Sequence, residues 1–268
     1  MQRSLAGVLF LLAAIALSIA AGGWWLERTA LTPSDTSGQT EAILDDDQIR
    51  AEVTTVIAAA TAPTLEQAPN EVAAFIDPII DSRPGAAVMS EIVRDAHRRV
   101  IGEREIAVRV TGPQMVEVVR DQRVVDLPPV TLPVPRVGTL DLLRHILTWM
   151  VPILAAVGVI LVILAFITRP EKGELIRALG EFGVALAVSM LVFGYALPVH
   201  IITAIDDNTW TRAVPQLATR ALPVALGATA IFAVGGVVLI LSSLGTGRRK
   251  QWSTPLAVGR YRDERSWS

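Results

Sequence analysis

The chain has 268 residues, of which 51% are hydrophobic, and its mean hydropathy is +0.47. Because a soluble protein of this length is seldom so apolar, the composition predicts membrane spans combined with a soluble part. The formal net charge is only -2 and there is no cysteine. These values exclude disulfides, thiolate metal sites and a cysteine nucleophile, and they give no indication of nucleic-acid binding.

Four apolar stretches are long enough to cross the hydrocarbon core of a bilayer, which requires about 20 helical residues. None of them has the polar face expected of a core helix in a soluble protein. We predict transmembrane helices at residues 5–25, 146–167, 182–202 and 221–244. The other segments are an N-terminus at 1–4, a domain at 26–145, loops at 168–181 and 203–220, and a tail at 245–268.

The distribution of basic residues predicts the orientation. The loop at 168–181 and the start of the tail carry Arg169, Lys172, Arg177, Arg248, Arg249 and Lys250. By the positive-inside rule both segments are cytoplasmic, and four spans then place the N-terminus there as well. The prediction is therefore a multi-pass protein of the inner (plasma) membrane, with both termini in the cytoplasm and an extracytoplasmic domain at 26–145.

The first span has two interpretations. Ser18–Ala20 resembles a small-residue cleavage site, but the apolar run is longer than the 7–15 residues of a typical signal-peptide core. Trp24 and Trp25 fit the aromatic belt at a membrane–water interface, as do Trp149 and Trp210 near other span ends. We therefore predict a retained anchor, with a cleaved signal peptide as the alternative.

The domain between the first two spans is predicted to have an α+β fold. Helical periodicity indicates about three helices before Gly102, with Asp45–Asp47 capping the first and Pro78 kinking or ending the second. The stretch "MVEVVRDQRVVDL" then predicts two strands around a polar turn, within a hairpin or a three-stranded sheet. An alternative for the first helices is one helical hairpin that turns at Pro63. Residues 27–143 hold 19 acidic and 11 basic residues, a balance of -8, which again argues against nucleic-acid binding.

Two groups of residues are candidate interfaces. The third predicted helix of the domain carries a basic patch that could dock an acidic partner, formed by Arg94, His97, Arg98 and Arg99. The alternative is a solvated face whose cations pair with neighbouring acids such as Glu91, Asp95 and Glu103. In the fourth span, small residues allow close helix packing within the bundle or against a partner subunit, namely Gly227, Gly235 and Gly236.

No catalytic motif is present in the sequence. There is no Gly-x-Ser-x-Gly elbow, no phosphate-binding glycine loop and no His-Glu-x-x-His. Ionisable residues inside membrane spans often have a functional role. His145, Glu181 and His200 lie near span ends, however, where a structural role is more common. We therefore predict a protein that is not an enzyme and has no cofactor or metal site. The segment at 203–220 is predicted either to lie on the membrane surface through Trp210 or to pack under the domain as a loop.

The stretch "GWWLERTALTPSD" at 23–35 resembles a widespread family of actinobacterial membrane proteins, in which an anchor ending in Trp-Leu-(Asp/Glu)-Arg-Thr leads into a helical exported domain. Topology and length are similar to the LucB-type accessory subunits of mycobacterial Mce lipid-transport complexes. This resemblance implies a non-catalytic subunit in membrane lipid, beside permease and MCE-type subunits of a lipid importer. The alternative is a membrane-bound sensor or regulator whose extracytoplasmic domain binds a ligand.

Overall fold

Four long helices dominate the computed structural model, which describes residues 2–33, 36–168, 172–205 and 208–252. Each is long and apolar enough to cross a membrane, and together they indicate a multi-pass membrane protein. Their limits are Leu5–Ala30, Gly138–Ile167, Gly173–Ala204 and Thr209–Leu244. Every predicted span lies inside one of these helices, which extend past the apolar stretch at one end or both.

The elements are numbered in chain order. They are α1 (Gln2–Ala30), α2 (Ser37–Leu44), α3 (Asp47–Leu65), α4 (Pro69–Asp81), α5 (Arg83–Val88), α6 (Ser90–Val100), β1 (Arg109–Val110), α7 (Gly112–Val119), β2 (Val130–Thr131), α8 (Gly138–Ile167), α9 (Lys172–Leu191), a π-helical stretch (Val192–Ile201), α10 (Ile202–Ile205) and α11 (Ala213–Trp252). Short 3₁₀ turns lie at Gln122–Val124 and Thr209–Arg212.

The predicted orientation in the membrane stays a prediction. Arg169 and the side chains of Lys172, Arg248, Arg249 and Lys250, on which it depends, lie outside the described residues.

The long helices form a bundle in which α1 and α9 are central. Helix α8 packs along α1, α1 packs along α9, and α9 packs along α11. The most apolar parts of the first and third spans are 44% and 39% buried, whereas those of the second and fourth are 11% buried. The Ser189 hydroxyl donates a hydrogen bond of 2.6 Å to the Ser18 carbonyl, which joins the two central helices in their buried interior. The outer faces of α8 and α11 are consequently the most accessible surfaces of the bundle.

Residues 31–137, called here the inter-span domain, are largely helical. Helix α3 begins where the acidic run predicted a helix start: Asp46 Oδ1 accepts hydrogen bonds from the backbone N–H groups of Gln48 and Ile49, at 3.0 and 3.2 Å. Helix α4 does not end at Pro78 but continues to Asp81, because Ile76 and Ile80 on either side of the proline are fully buried in the core. Helices α3 and α4 pack on each other, and the turn between them follows Leu65 rather than lying at Pro63.

The predicted hairpin or three-stranded sheet is wrong for most of its length. Residues 112–119 form α7, which begins with a reciprocal capping box: the Thr111 N–H donates to Gln114 Oε1 at 2.9 Å, and the Thr111 side chain caps the first turn in return. Met115, Val118 and Val119 bury one stripe of this helix at helical spacing. Alternating valines suggested a strand, but local capping and burial of this stripe favour the helix. Among the described residues, the only sheet pairs β1 antiparallel to β2, two residues each.

The segment before the fourth span packs under the inter-span domain. Asn208 caps the 3₁₀ turn that carries Trp210, and α11 starts at Ala213, eight residues before the predicted span. Trp210 is only 1% exposed, and Val214 and Leu217 are buried in the same core. The prediction of a membrane-surface segment anchored by Trp210 is therefore wrong, and the alternative, a segment packed under the domain, describes the structure.

Candidate interaction surfaces

His97 does not belong to an exposed basic patch. It is 1% exposed, and its Nε2 lies 3.0 Å from the carbonyl oxygen of Ala30, at the end of α1. Because a carbonyl oxygen only accepts, Nε2 carries the proton and donates, which leaves Nδ1 buried without a hydrogen-bond partner among the described residues. Burial lowers the pKa of His97 to about 4, so the imidazole is neutral at physiological pH. His97 therefore ties α6 to the end of the first span.

The arginines of the predicted patch make contacts within the domain. The guanidinium of Arg98 lies 3.5 Å from the carboxylate of Glu103. Arg99 donates from Nε to the carbonyl of Val134 at 2.7 Å and also donates to the carbonyl of Glu105. These bonds hold the segment before β1 and the segment after β2 against α6. Of the two interpretations, local pairing of these cations within the domain therefore agrees better with the structure than an open docking face does.

The three glycines of the fourth span have different surroundings. A Cβ atom added at Gly236 would lie 2.7 Å from the carbonyl oxygen of Gly180 and 2.8 Å from the amide nitrogen of Val184. Gly236 thus lets the backbones of α9 and α11 approach closely, as small residues do in membrane bundles. A Cβ at Gly227 or Gly235 would meet nothing within 4 Å. Of these three glycines, Gly227 and Gly235 lie on the open face of α11.

The open faces of α8 and α11 carry large apolar side chains. On α8, Trp149 and Ile153 are 62% and 56% exposed, and on α11, Ile231 and Val234 are 71% and 66% exposed. Surfaces of this kind contact lipid tails or the helices of another subunit. Of the tryptophans predicted as interfacial anchors, Trp24 and Trp149 are exposed and Trp25 is half-buried, whereas Trp210 lies in the core.

Polar contacts that the sequence did not reveal join the inter-span domain to α11. The indole Nε1 of Trp210 donates to Glu52 Oε1 at 3.2 Å. Gln216 Nε2 lies 3.4 Å from Asp46 Oδ2, and the guanidinium of Arg220 donates to the carbonyl of Gly38. Each pair is separated by more than 150 residues, and no local pattern marks either partner. Sequence reasoning could have found only the apolar spacing of Trp210, Val214 and Leu217.

The charged groups of the domain are arranged as ion pairs. Arg50 is the largest such centre, with guanidinium nitrogens 2.5, 3.4 and 3.2 Å from the carboxylates of Asp47, Asp77 and Asp81. Burial opposes the charged form of Arg50, but these three carboxylates outweigh burial and raise its pKa. Within the described ranges, no three His, Asp or Glu residues are grouped so as to hold a metal ion.

The three ionisable residues near the span ends, His145, Glu181 and His200, do not form a shared site. Glu181 accepts a hydrogen bond of 2.8 Å from Arg177, one turn earlier on α9. The ring of His200 lies edge-on to Tyr195, with centroids 5.3 Å apart in the π-helical stretch. His145 lies on the exposed side of α8. These contacts are local, and they do not indicate a chemical role for any of the three residues.

Polar clefts lie on the inter-span domain and at its edge, among them the following two. One has a volume of about 400 Å³ and lies between the end of α3, the first half of α4 and the end of α7, lined by residues that include Gln67, Phe75, Arg120 and Arg123. The other has a volume of about 540 Å³ and lies between the end of α1, the start of α2 and α11. Both volumes fall in the range of roughly 300–1,000 Å³ that is usual for ligand sites.

Comparison of the chain with protein-family models, with curated proteins and with solved structures gave no match. The assignment of function therefore depends on the geometry of the chain and on the resemblance carried by its topology and by residues 23–35.

Proposed function

We propose that this protein is a non-catalytic accessory subunit that stabilises a cell-envelope transport complex in the membrane. Its inter-span domain would hold one partner on the extracytoplasmic side, while the outer helices α8 and α11 contact a membrane-embedded partner. An Mce-type lipid importer is the complex we favour, with permease and MCE-type subunits as the partners. That choice rests on the resemblance of topology and of the segment after the first span.

The observation that carries the proposal is the shared core of the domain and the spans. One cluster of buried residues includes Leu26 from α1, Leu147 from α8, Ile202 from α10 and Val214 from α11, together with the interior of the domain. Because all four spans contribute to this core, domain and bundle form one packed unit without a linker between them. A unit of this kind can orient a second subunit relative to the membrane.

The exposed apolar faces support the same function. Interfaces between membrane helices are enriched in small residues that let backbones approach. The outward face of α11 has such positions at Gly227 and Gly235, which the bundle itself leaves uncovered. The proposal assigns this face to a partner helix.

The test is a pull-down of the C-terminally tagged protein at native expression in gentle detergent, followed by mass spectrometry. We expect stoichiometric permease, ATPase and MCE-type proteins. The double variant Gly227→Leu/Gly235→Leu should lose the membrane-embedded partner, whereas Ile153→Leu on the open face of α8 serves as a conservative control. Recovery of a monomer or a homo-oligomer alone from the wild-type strain would overturn the proposal.

The second candidate is a sensor whose domain binds a ligand, and the 400 Å³ cleft favours it. Of the two non-glycine residues with positive φ in the described chain, Arg120 (φ 58°) lines this cleft and Glu66 (φ 57°) lies between two of its lining residues in the sequence. Backbone conformations of this kind cluster at functional sites. Phe75, which is 53% exposed, lines the cleft. A small molecule that co-purifies with the wild type and is lost from Phe75→Ala would favour the sensor over the accessory subunit.

A further inference from the structure

The 540 Å³ groove at the end of α1 has a cationic and hydroxyl-rich lining. No carboxylate is present among the residues that line it in the described part of the chain. Its polar lining consists of Arg28, Thr29, Thr32, Thr36, Gln39 and Arg220. A groove with this composition attracts an anion.

The two arginines of the groove are available for a ligand. Arg28 is exposed and makes no hydrogen bond or ion pair with any described residue. Arg220 has a side chain that is 51% exposed, donates one hydrogen bond to the carbonyl of Gly38 and forms an ion pair with the carboxylate of Glu41 at 3.9 Å. A guanidinium has five N–H donors, so these two contacts leave several of them for a ligand. The guanidinium groups therefore keep donors free for a phosphate, which they bind with charge-assisted hydrogen bonds.

The end of α1 would repel an anion if its last carbonyls were bare, because a helix C-terminus carries partial negative charge. Two of these last carbonyls have partners: Glu27 O accepts from the backbone N–H of Leu31 at 3.2 Å, and Ala30 O accepts from Nε2 of the buried His97 at 3.0 Å. Side chains of the groove add further hydrogen bonds near this end. The Thr29 hydroxyl donates to Trp25 O and the Thr32 hydroxyl to Glu27 O, each at 2.7 Å. Gln39 Nε2 donates to the carbonyl of Thr32 at 3.1 Å. Among the described residues that line the groove, the two arginines are the charged groups.

The groove lies beside the ends of two of the apolar runs, where the spans predict a membrane–water interface. Arg28 follows the apolar run of the first span by one turn, after Trp24 and Trp25 at its end. On the opposite wall, Leu217 and Ala221 belong to the first turns of α11, and the apolar run of the fourth span starts at Ala221. The groove therefore has a polar wall next to the end of the apolar run of α1 and the start of the apolar run of α11.

We propose that this groove binds the phosphate of an anionic phospholipid from the leaflet on the side of the inter-span domain. Arg28 and Arg220 hold the phosphate, and the acyl chains run along the apolar surface of α1 and α11. Charge complementarity and depth support this occupant: basic pockets between transmembrane helices bind lipid headgroups. The binding requires no partner subunit, so it is independent of the proposed function.

The test uses the full-length protein in zwitterionic detergent, titrated with phosphatidylglycerol or phosphatidylcholine and followed by native mass spectrometry. We expect preference for phosphatidylglycerol, weakened about fivefold for each of Arg28→Gln and Arg220→Gln. The double variant R28K/R220K keeps both charges and should retain most of the binding. Arg212→Gln is the matched control, because Arg212 is exposed on the same side and does not line the groove.

Three results would overturn the assignment. Equal binding of phosphatidylglycerol by the wild type and by R28Q/R220Q would remove the groove as the site. Binding of phosphatidylcholine as strong as that of phosphatidylglycerol would remove the anionic charge as the determinant. If inorganic phosphate at millimolar concentration displaced the lipid completely, the site would be one for free anions and not for a lipid. The melting temperature in lipid-free detergent shows that each variant is folded, and R28K/R220K still decides the outcome if a glutamine variant is not.

Discussion

The indole of Trp210 donates its N–H to the carboxylate of Glu52 across 3.2 Å, which joins residues that are 158 positions apart in the sequence. Trp210 is 1% exposed and belongs to the same core as the helices of the inter-span domain. A residue next to the last span thus completes a domain that begins after the first one.

Replacing Trp210 should destabilise the whole protein. Trp210→Ala removes a large buried ring, and we expect a loss of about 3–5 kcal/mol in the free energy of unfolding. Trp210→Phe keeps most of the volume but leaves Glu52 without its donor, which costs about 1–3 kcal/mol. Thermal unfolding in detergent measures both. Trp149→Phe, at an exposed position, is the control and should change stability by less than about 0.5 kcal/mol. Equal melting temperatures for all three variants would refute the buried position of Trp210.

Adjacent glycines on α11 should respond differently to leucine. Gly236→Leu places a side chain against the backbone of α9, so we expect a loss of stability of about 1–3 kcal/mol or more and a less compact bundle in size-exclusion chromatography. Gly235→Leu points into open space and should leave the isolated protein unchanged. Equal melting temperatures for the two variants would contradict the close approach of α9 to α11.

The stability of the protein should fall in mild acid because of His97. Its pKa is about 4 in the folded chain and about 6.5 when unfolded, so the unfolded state binds more protons between these values. The contribution is fully present above pH 6.5 and is lost as the pH falls toward 4, by an amount on the order of 3 kcal/mol. His97→Gln retains a donor for the Ala30 carbonyl and cannot titrate. Its melting temperature should therefore vary less with pH than that of the wild type, and parallel curves would exclude His97 as the cause.

Cysteine labelling can test the predicted orientation on a background without native cysteine. Gln122→Cys lies in a 3₁₀ turn of the inter-span domain and should react with a membrane-impermeant maleimide in intact cells. Pro170→Cys, in the basic loop outside the described residues, should react only after the cells are opened. Reaction at position 170 in intact cells would reverse the topology.

The spans were predictable because twenty consecutive apolar residues have few alternative structures. The start of α3 was predictable for a similar reason, since an acidic run beside helical periodicity is a strong local pattern. The sequence misled at α7, where Val116 and Val118 alternate like a strand while the buried stripe formed by Met115, Val118 and Val119 has helical spacing. A capping box at Thr111 and Gln114 was present in the sequence and outweighs the alternation.

The candidate surfaces were less predictable, because they depend on contacts distant in sequence. His97 looks like one more cation among Arg94, Arg98 and Arg99, and only the position of Ala30 on α1 shows that it is buried. The glycines of the fourth span could be recognised as packing residues. Which of them faces α9 depends on the rotation of α11, and local sequence does not determine that rotation.

The core shared by the domain and the last span has a consequence for biosynthesis. Trp210, Val214 and Leu217 are synthesised more than 70 residues after the inter-span domain ends at residue 137. As the nascent chain emerges, the domain therefore has an incomplete interior until the second and third spans have been inserted. Its final packing comes with the fourth, so insertion of the membrane helices and completion of the domain are one coupled folding event.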